Sequence, residues 1–154
     1  MIKKKIYRIL LLTVICIMAV PGCKKEEKVT GTRIYYTDSE GMSLVEKGVK
    51  LNGKTQKKQI DEILNMIQKN TDNIDYRSPF VKGVKIRKWS VEDGKIIIDF
   101  NRDYQKLSVT EEIVLRAAVV QSVGQVSGVN SVLFTIDGEP LEDQNGQETG
   151  YMQP

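Results

Sequence analysis

The sequence predicts an α+β domain, a two-layer βαββαβ sandwich with one mixed sheet and two helices on one face. Three observations predict it. Apolar residues recur at helical spacing in two separate stretches, β-branched and aromatic runs lie before, between and after them, and an Asp-Gly turn joins the two middle runs. A helix-linked pair of strands, a hairpin and a second helix-linked strand fold most simply onto a shared sheet.

Each element has its own local reason. Arg33-Ile34-Tyr35-Tyr36-Thr37 is rich in β-formers and stops at the turn cluster Asp38-Ser39-Glu40-Gly41. Leu44 to Leu51 is a weaker extended piece, bounded by Asn52-Gly53. Ile60, Ile63, Leu64 and Ile67 then fall at i, i+3, i+4 and i+7 among lysines and acids, an amphipathic helix over about Thr55 to Lys69. Val84 to Val91 and Lys95 to Phe100 flank Glu92-Asp93-Gly94, the strongest hairpin signal in the chain. In the first of these runs Val84 and Ile86 are out of phase with Trp89 and Val91, which predicts a β-bulge near Lys88. Ser108-Val109-Thr110-Glu111 has capping-box spacing and opens a second helix to about Val123, with Gly124 as its C-cap. Ser131 to Ile136 is the last strand, ending at Asp137-Gly138. Residues 141–154 are polar and read as a tail or an edge extension.

The N-terminal segment has a different character. Lys3, Lys4, Lys5 and Arg8 precede an uncharged stretch from Ile9 to Val20. That stretch is short for a membrane span, which takes about 20 apolar residues, and right for the core of a signal peptide. Val20-Pro21-Gly22-Cys23 follows, resembling a bacterial lipobox. It implies a leader over residues 1–22 and a diacylglycerol thioether on Cys23. Two or more acyl chains make an anchor stable where one does not. Residues 23–31 then form a lipid-anchored, charged tether. Residues 24–31 span at most ~28 Å when extended. The protein is accordingly expected at the extracytoplasmic face of the cell membrane.

Composition narrows the chemistry. The chain of 154 residues has a formal charge of +3, but the four cations of the leader leave 19 Lys and Arg against 20 Asp and Glu in the remainder. The exported part is not basic, so a nucleic-acid partner loses its electrostatic support. There is no histidine, hence no His-based acid or base and no His metal site. Cys16 lies in the leader, which leaves no thiol pair for a disulfide and too few for a zinc site. No cofactor, metal or catalytic residue is expected, and the protein reads as a non-enzyme.

Several pieces occur in the order of a known family: Ile34-Tyr35-Tyr36, Gly41 and Leu44-Val45-Glu46; Ile63-Leu64; Ser78-Pro79-Phe80 and Gly83-Val84. They continue with Val91-Glu92-Asp93-Gly94-Lys95 into Ile98-Asp99-Phe100, the Thr110 to Ser122 helix, Val126-Ser127-Gly128-Val129-Asn130-Ser131-Val132, and Ile136-Asp137-Gly138-Glu139-Pro140. Together they resemble the GerMN domain of sporulation and spore-germination proteins over residues 32–140. The resemblance implies a βαββαβ fold in a tethered lipoprotein of a spore-forming or related Gram-positive bacterium. It also implies an interaction or assembly module, and it supplies no catalytic residue.

Three places are candidate sites. Asp99, Asp103, Glu111 and Glu112 read as solvated or helix-dipole carboxylates rather than as a cation site, since the Asp-x-Asp-x-Asp-Gly spacing is missing. Lys82, Lys85, Arg87 and Lys88, beside Tyr76, Phe80 and Trp89, read first as an ordinary exposed strand face and otherwise as a surface for anionic lipid headgroups or wall polymers. As an alternative function, the Tyr76 to Trp89 region is the platform of a small-ligand or wall-polymer binding domain. The second helix is apolar nearly all round, which makes Leu115 and Val119, with Trp89, an expected surface for an envelope partner or for self-association.

Overall fold

In a computed structural model that describes residues 31–143 and 146–154, the described residues form seven strands and two α-helices. The expected leader, the expected lipidation site Cys23 and the expected tether up to residue 30 lie outside the described residues. Strand β1 (Thr32–Asp38) pairs antiparallel with β2 (Leu44–Val49), and its end pairs with the short β3 (Tyr76–Arg77). Helix α1 (Gln56–Gln68) begins at Thr55, whose side chain accepts from the Lys58 amide. Strand β4 (Ile86–Glu92) turns through Asp93-Gly94 into β5 (Lys95–Phe100). Both turn residues have positive φ, the geometry in which a two-residue hairpin follows the strand twist. A 3-10 turn (Arg102–Lys106) leads to α2 (Val109–Val123), which crosses over to β6 (Ser131–Ile136), parallel to β5. Parallel neighbours need a crossover of this length.

The α+β class and the two helices are as the sequence predicts, but the strands form two sheets, β2–β1–β3 and β4–β5–β6–β7, rather than one. The reason lies on the free edge of β1. There the amide of Tyr35 donates to Ser122 Oγ (2.9 Å) and the amide of Arg33 to Gln125 Oε1 (2.9 Å), while Gln125 Nε2 donates back to the Arg33 carbonyl (2.7 Å). Side chains at the end of α2 thus occupy hydrogen-bonding positions that a neighbouring strand would use. Backbone groups must find partners, and these were found on a helix.

Both sheets and both helices feed one core. Ile60, Ile63 and Ile67 of α1, Leu115, Val119 and Val123 of α2, Ile96, Ile98 and Phe100 of β5, Val132 and Phe134 of β6, and Ile34 of β1 are fully buried in it. Phe100 stacks on Tyr104 at 4.7 Å and on Phe134 at 5.6 Å. Helix α2 packs against β1 and α1 as well as facing the core, so its apolar circumference reflects burial on several sides. The expected contact surface is corrected accordingly. Leu115 and Val119 have no exposed area and cannot meet a partner while the domain is folded. Trp89 is partly buried, opposite Ile98, and packs against the same core.

The bulge expected near Lys88 is present: the β4–β5 register slips between Ile86 and Lys88, and the extra residue is Arg87. Beyond β6, Asp137-Gly138 repeats the positive-φ pair and folds β7 (Glu139–Pro140) back on Thr135 and Ile136. Further along the same edge of β6, Met152 exchanges two backbone hydrogen bonds with Val132 (2.7 and 2.8 Å). Pro154 then lies where a Cβ on Gly124 would have to go. Gly124, with φ −64°, is therefore required for space rather than for a left-handed turn.

Candidate functional site

A cleft of about 1110 Å³ opens at the end of the domain away from Gly31. The end of α1 (Gln68, Lys69), the start of α2 (Ser108, Thr110, Glu111), the Gly41-Met42 turn and the loop 78–85 surround it. The loop is irregular but firmly held. Ser78 Oγ donates to the Ile67 carbonyl (2.6 Å) and accepts from the Phe80 amide. Asn101 closes the other end: its Nδ2 donates to the Gly83 carbonyl and its Oδ1 accepts from the Lys85 amide, both at 2.9 Å. Neither Ser78 nor Asn101 shows any periodic signal, so sequence reasoning missed both as positioning residues.

Four cations line the cleft, Lys69, Arg77, Lys82 and Lys85, against Glu40 and Glu111. The aromatic platform predicted beside them is not assembled. Phe80 turns inward and is 8% exposed, Trp89 on β4 is partly buried against the core, and Tyr76 lies against Tyr36 at 5.1 Å with Lys47 over its ring. The basic run divides as well. Lys82 and Lys85 reach the cleft, whereas bulged Arg87 joins Asp99 and Asp137 on the four-stranded sheet.

The four carboxylates are dispersed, each with its own structural partner. Asp99, 1% exposed, accepts from Thr135 Oγ1 (2.8 Å), the Gly138 amide (2.7 Å) and Arg87. Asp103 sits against Gly83 and bonds Lys106 and Asn101; the Lys106 ammonium holds its carboxyl below the usual range. Glu112 accepts from the Tyr104 hydroxyl (3.3 Å) and faces Arg116. Burial pushes the Tyr104 phenol upward, so it stays a neutral donor. Glu111 completes the capping box with Ser108. Among the described residues no group of three or more Cys, Asp or Glu is placed to hold a metal ion, and no helix is long and apolar enough to cross a membrane.

The capping box carries a pH signature. Hydrogen bonds from the Ser108 hydroxyl and amide hold Glu111 below its ordinary value. A carboxyl with a lowered folded pKa stabilises the fold above its unfolded pKa, and that contribution is lost as pH falls through the folded value. Thermal unfolding of the wild type and of Glu111→Gln should therefore converge as the buffer is taken from neutrality into the acid range below pH ~4. A gap of constant size would show that the cap does not depend on the charge of Glu111.

Apolar side chains border the cleft. Val109 and Ile113, one turn apart on α2, are 50% and 54% exposed, on the ridge next to cleft-lining Thr110 and Val114. Val81 and Met42 are exposed apolar residues of the cleft wall itself.

Comparison with known proteins bears on this geometry. The profile of the Germane family, described as sporulation and spore germination, matches residues 33–142. Among solved structures, the chain is similar to the first GerMN domain of the sporulation protein GerM from Bacillus subtilis. That match has 16% identity and a TM-score of 0.61, over 79% of this chain and 93% of that one. It is also similar to the tandem GerMN domains of the same protein, at 14% identity and a TM-score of 0.62, again over 79% of this chain. The chain spans only 45% of the length of that tandem structure. No protein of curated function matches by sequence.

Proposed function

Because the chain belongs to the Germane family of sporulation and spore germination proteins, we propose that it is a non-enzymatic, lipid-anchored envelope protein that works by protein–protein contact in sporulation or germination. The observation that carries this reading is the half-exposed pair Val109 and Ile113 on α2, next in sequence to the cleft-lining Thr110 and Val114, with Val81 and Met42 exposed on the cleft wall. Neighbouring apolar side chains left in water on a rigid helix are what a protein interface uses at its centre. The dispersed carboxylates, each engaged in holding a turn, a cap or a loop, leave the cleft without an evident nucleophile–base pair. Anchoring rests on the sequence around Cys23, with the folded part held close to an extracytoplasmic membrane face.

A two-part experiment tests this. Cys23→Ala should abolish palmitate labelling, and retention of the label would sink the anchor. Val109→Glu with Ile113→Glu should leave the unfolding temperature nearly unchanged, since both side chains are at the surface. The same pair should remove the protein's cross-links to its neighbours in membranes of sporulating cells. Cross-links that persist unchanged would eliminate the ridge as the contact. The second reading, a binding cleft for a small ligand or wall polymer, is favoured by the four cations that line the opening. Salt-sensitive binding of an anionic polymer, lost on Lys82→Gln with Lys85→Gln, would select it.

A further inference from the structure

The end of the domain opposite the cleft has a character of its own. Gly31, where the described chain begins, sits against the Val49 carbonyl, and Thr32 pairs with Val49. Lys50 follows directly, then Lys54, Lys57 and Lys58, around the start of α1. Gln56 Nε2 donates to the Ser127 carbonyl (3.0 Å), while Arg33 is bonded to Gln125, so the start of α1 and the start of β1 are tied to the same short segment. All four lysines are exposed, and none forms an ion pair among the described residues. Residues 50–58 contain no acid. The nearest acids along the chain are Asp61 and Glu62, one helical turn after Lys57 and Lys58; Asp61 accepts from Asn65 and Glu62 from the Asn52 amide.

These lysines make no ion pair within the described fold, and Asp61 and Glu62, one turn along α1, are bonded to Asn65 and to the Asn52 amide instead. The first turn of α1 has no acidic residue, and Lys57 and Lys58 place positive charge where the helix dipole is already positive. Helix α2 does the reverse, with Glu111 and Glu112 in its first turn. The positions have a different logic if the chain continues from Gly31 to a lipid on Cys23. The intervening residues reach at most ~28 Å, and held this close, weak contacts act at high effective concentration.

We propose that the end of the domain formed by Lys50, Lys54, Lys57 and Lys58 docks on a bilayer surface bearing anionic headgroups. Docking turns the cleft and the Val109–Ile113 ridge away from the membrane. The proposal rests on the lipid-anchored reading above. A basic residue near such a surface is worth roughly fivefold in binding, so removing four lysines should weaken docking by roughly several hundredfold.

The test uses the full acylated chain in vesicles of phosphatidylglycerol and phosphatidylcholine, or of phosphatidylcholine alone, doped with a nitroxide lipid. A fluorophore is placed at Asn52→Cys, beside the lysines, or at Ile74→Cys, beyond the far end of α1. The 13-residue helix separates the two positions by about 20 Å. The expected result is several-fold stronger quenching at position 52 than at 74 on the anionic vesicles. The difference should vanish on neutral vesicles, at high salt, and in the variant K50Q/K54Q/K57Q/K58Q, whose unfolding temperature should not fall. Equal quenching at both positions on floating vesicles, or quenching indifferent to lipid charge, overturns the docking and leaves the anchor standing. Failure of the protein to float with any vesicle overturns the anchor, and the docking with it. A clear drop in unfolding temperature in the lysine variant would give those residues a structural role and defeat the proposal.

Discussion

Replacing Asp99 by alanine should lower the unfolding free energy by about 2–5 kcal/mol, because it orphans several partners at once. Asp99 is buried on the face of the four-stranded sheet away from Ile98 and Phe100. Its Oδ1 accepts from Thr135 on the adjacent strand and from the Gly138 amide in the following turn. Its Oδ2 faces bulged Arg87, which also meets Asp137, and Asp137 in turn meets Arg102. The substitution leaves a buried hydroxyl and an amide without acceptors and frees the Asp137-Gly138 turn that sets β7 against β6. The ion pair itself adds little, since the Arg87 side chain is 46% exposed and partly screened by water. Asp99→Asn, which can keep Oδ1 in place, should cost clearly less than Asp99→Ala. Urea unfolding of both variants checks this, and equal losses would mean that the charge rather than the turn matters.

Leu115→Ala should cost about 2–5 kcal/mol, the range for emptying a fully enclosed aliphatic site. Leu115 has no exposed area and sits on α2 in the core shared with α1, β1 and both central strands of the larger sheet. The neighbouring helix elements are fixed by the capping box at one end and by Ser122 and Gln125 at the other, so there is little freedom to collapse around the void. Ile113→Ala, two residues earlier and half exposed, should change stability by no more than about 0.5 kcal/mol. The contrast separates core from surface on one helix. Similar losses at both positions in chemical denaturation would show that the buried and exposed faces have been wrongly assigned.

Much of the fold is legible in the sequence because it is set locally. The α1 stripe Ile60-Ile63-Leu64-Ile67 is the buried face of that helix, and Ser108 and Glu111 make both bonds of the capping box. The phase slip in Val84 to Val91 marks the bulge, and Asp93-Gly94 the hairpin. Asp137-Gly138 carried the same turn signal, but the strand after it has only two residues, too few for any alternation to appear. The cleft was half legible. Lys82 and Lys85 line it as part of a visible basic run, while Arg77, Lys69 and the Asn101 clamp come from segments far apart in the chain.

By itself the sequence determined where helices and turns begin, which face of α1 is apolar, and that the chemistry of histidine is missing. Tertiary structure alone decided whether an apolar residue is core or surface on α2, where Leu115 and Ile113 look alike in one dimension. It also decided that β1 joins a second sheet. The physical reason is common to both: periodicity describes one element against an imagined flat partner, whereas burial and edge pairing depend on which elements arrive on each side. Here Ser122 and Gln125 reached the edge of β1, in the place of a strand.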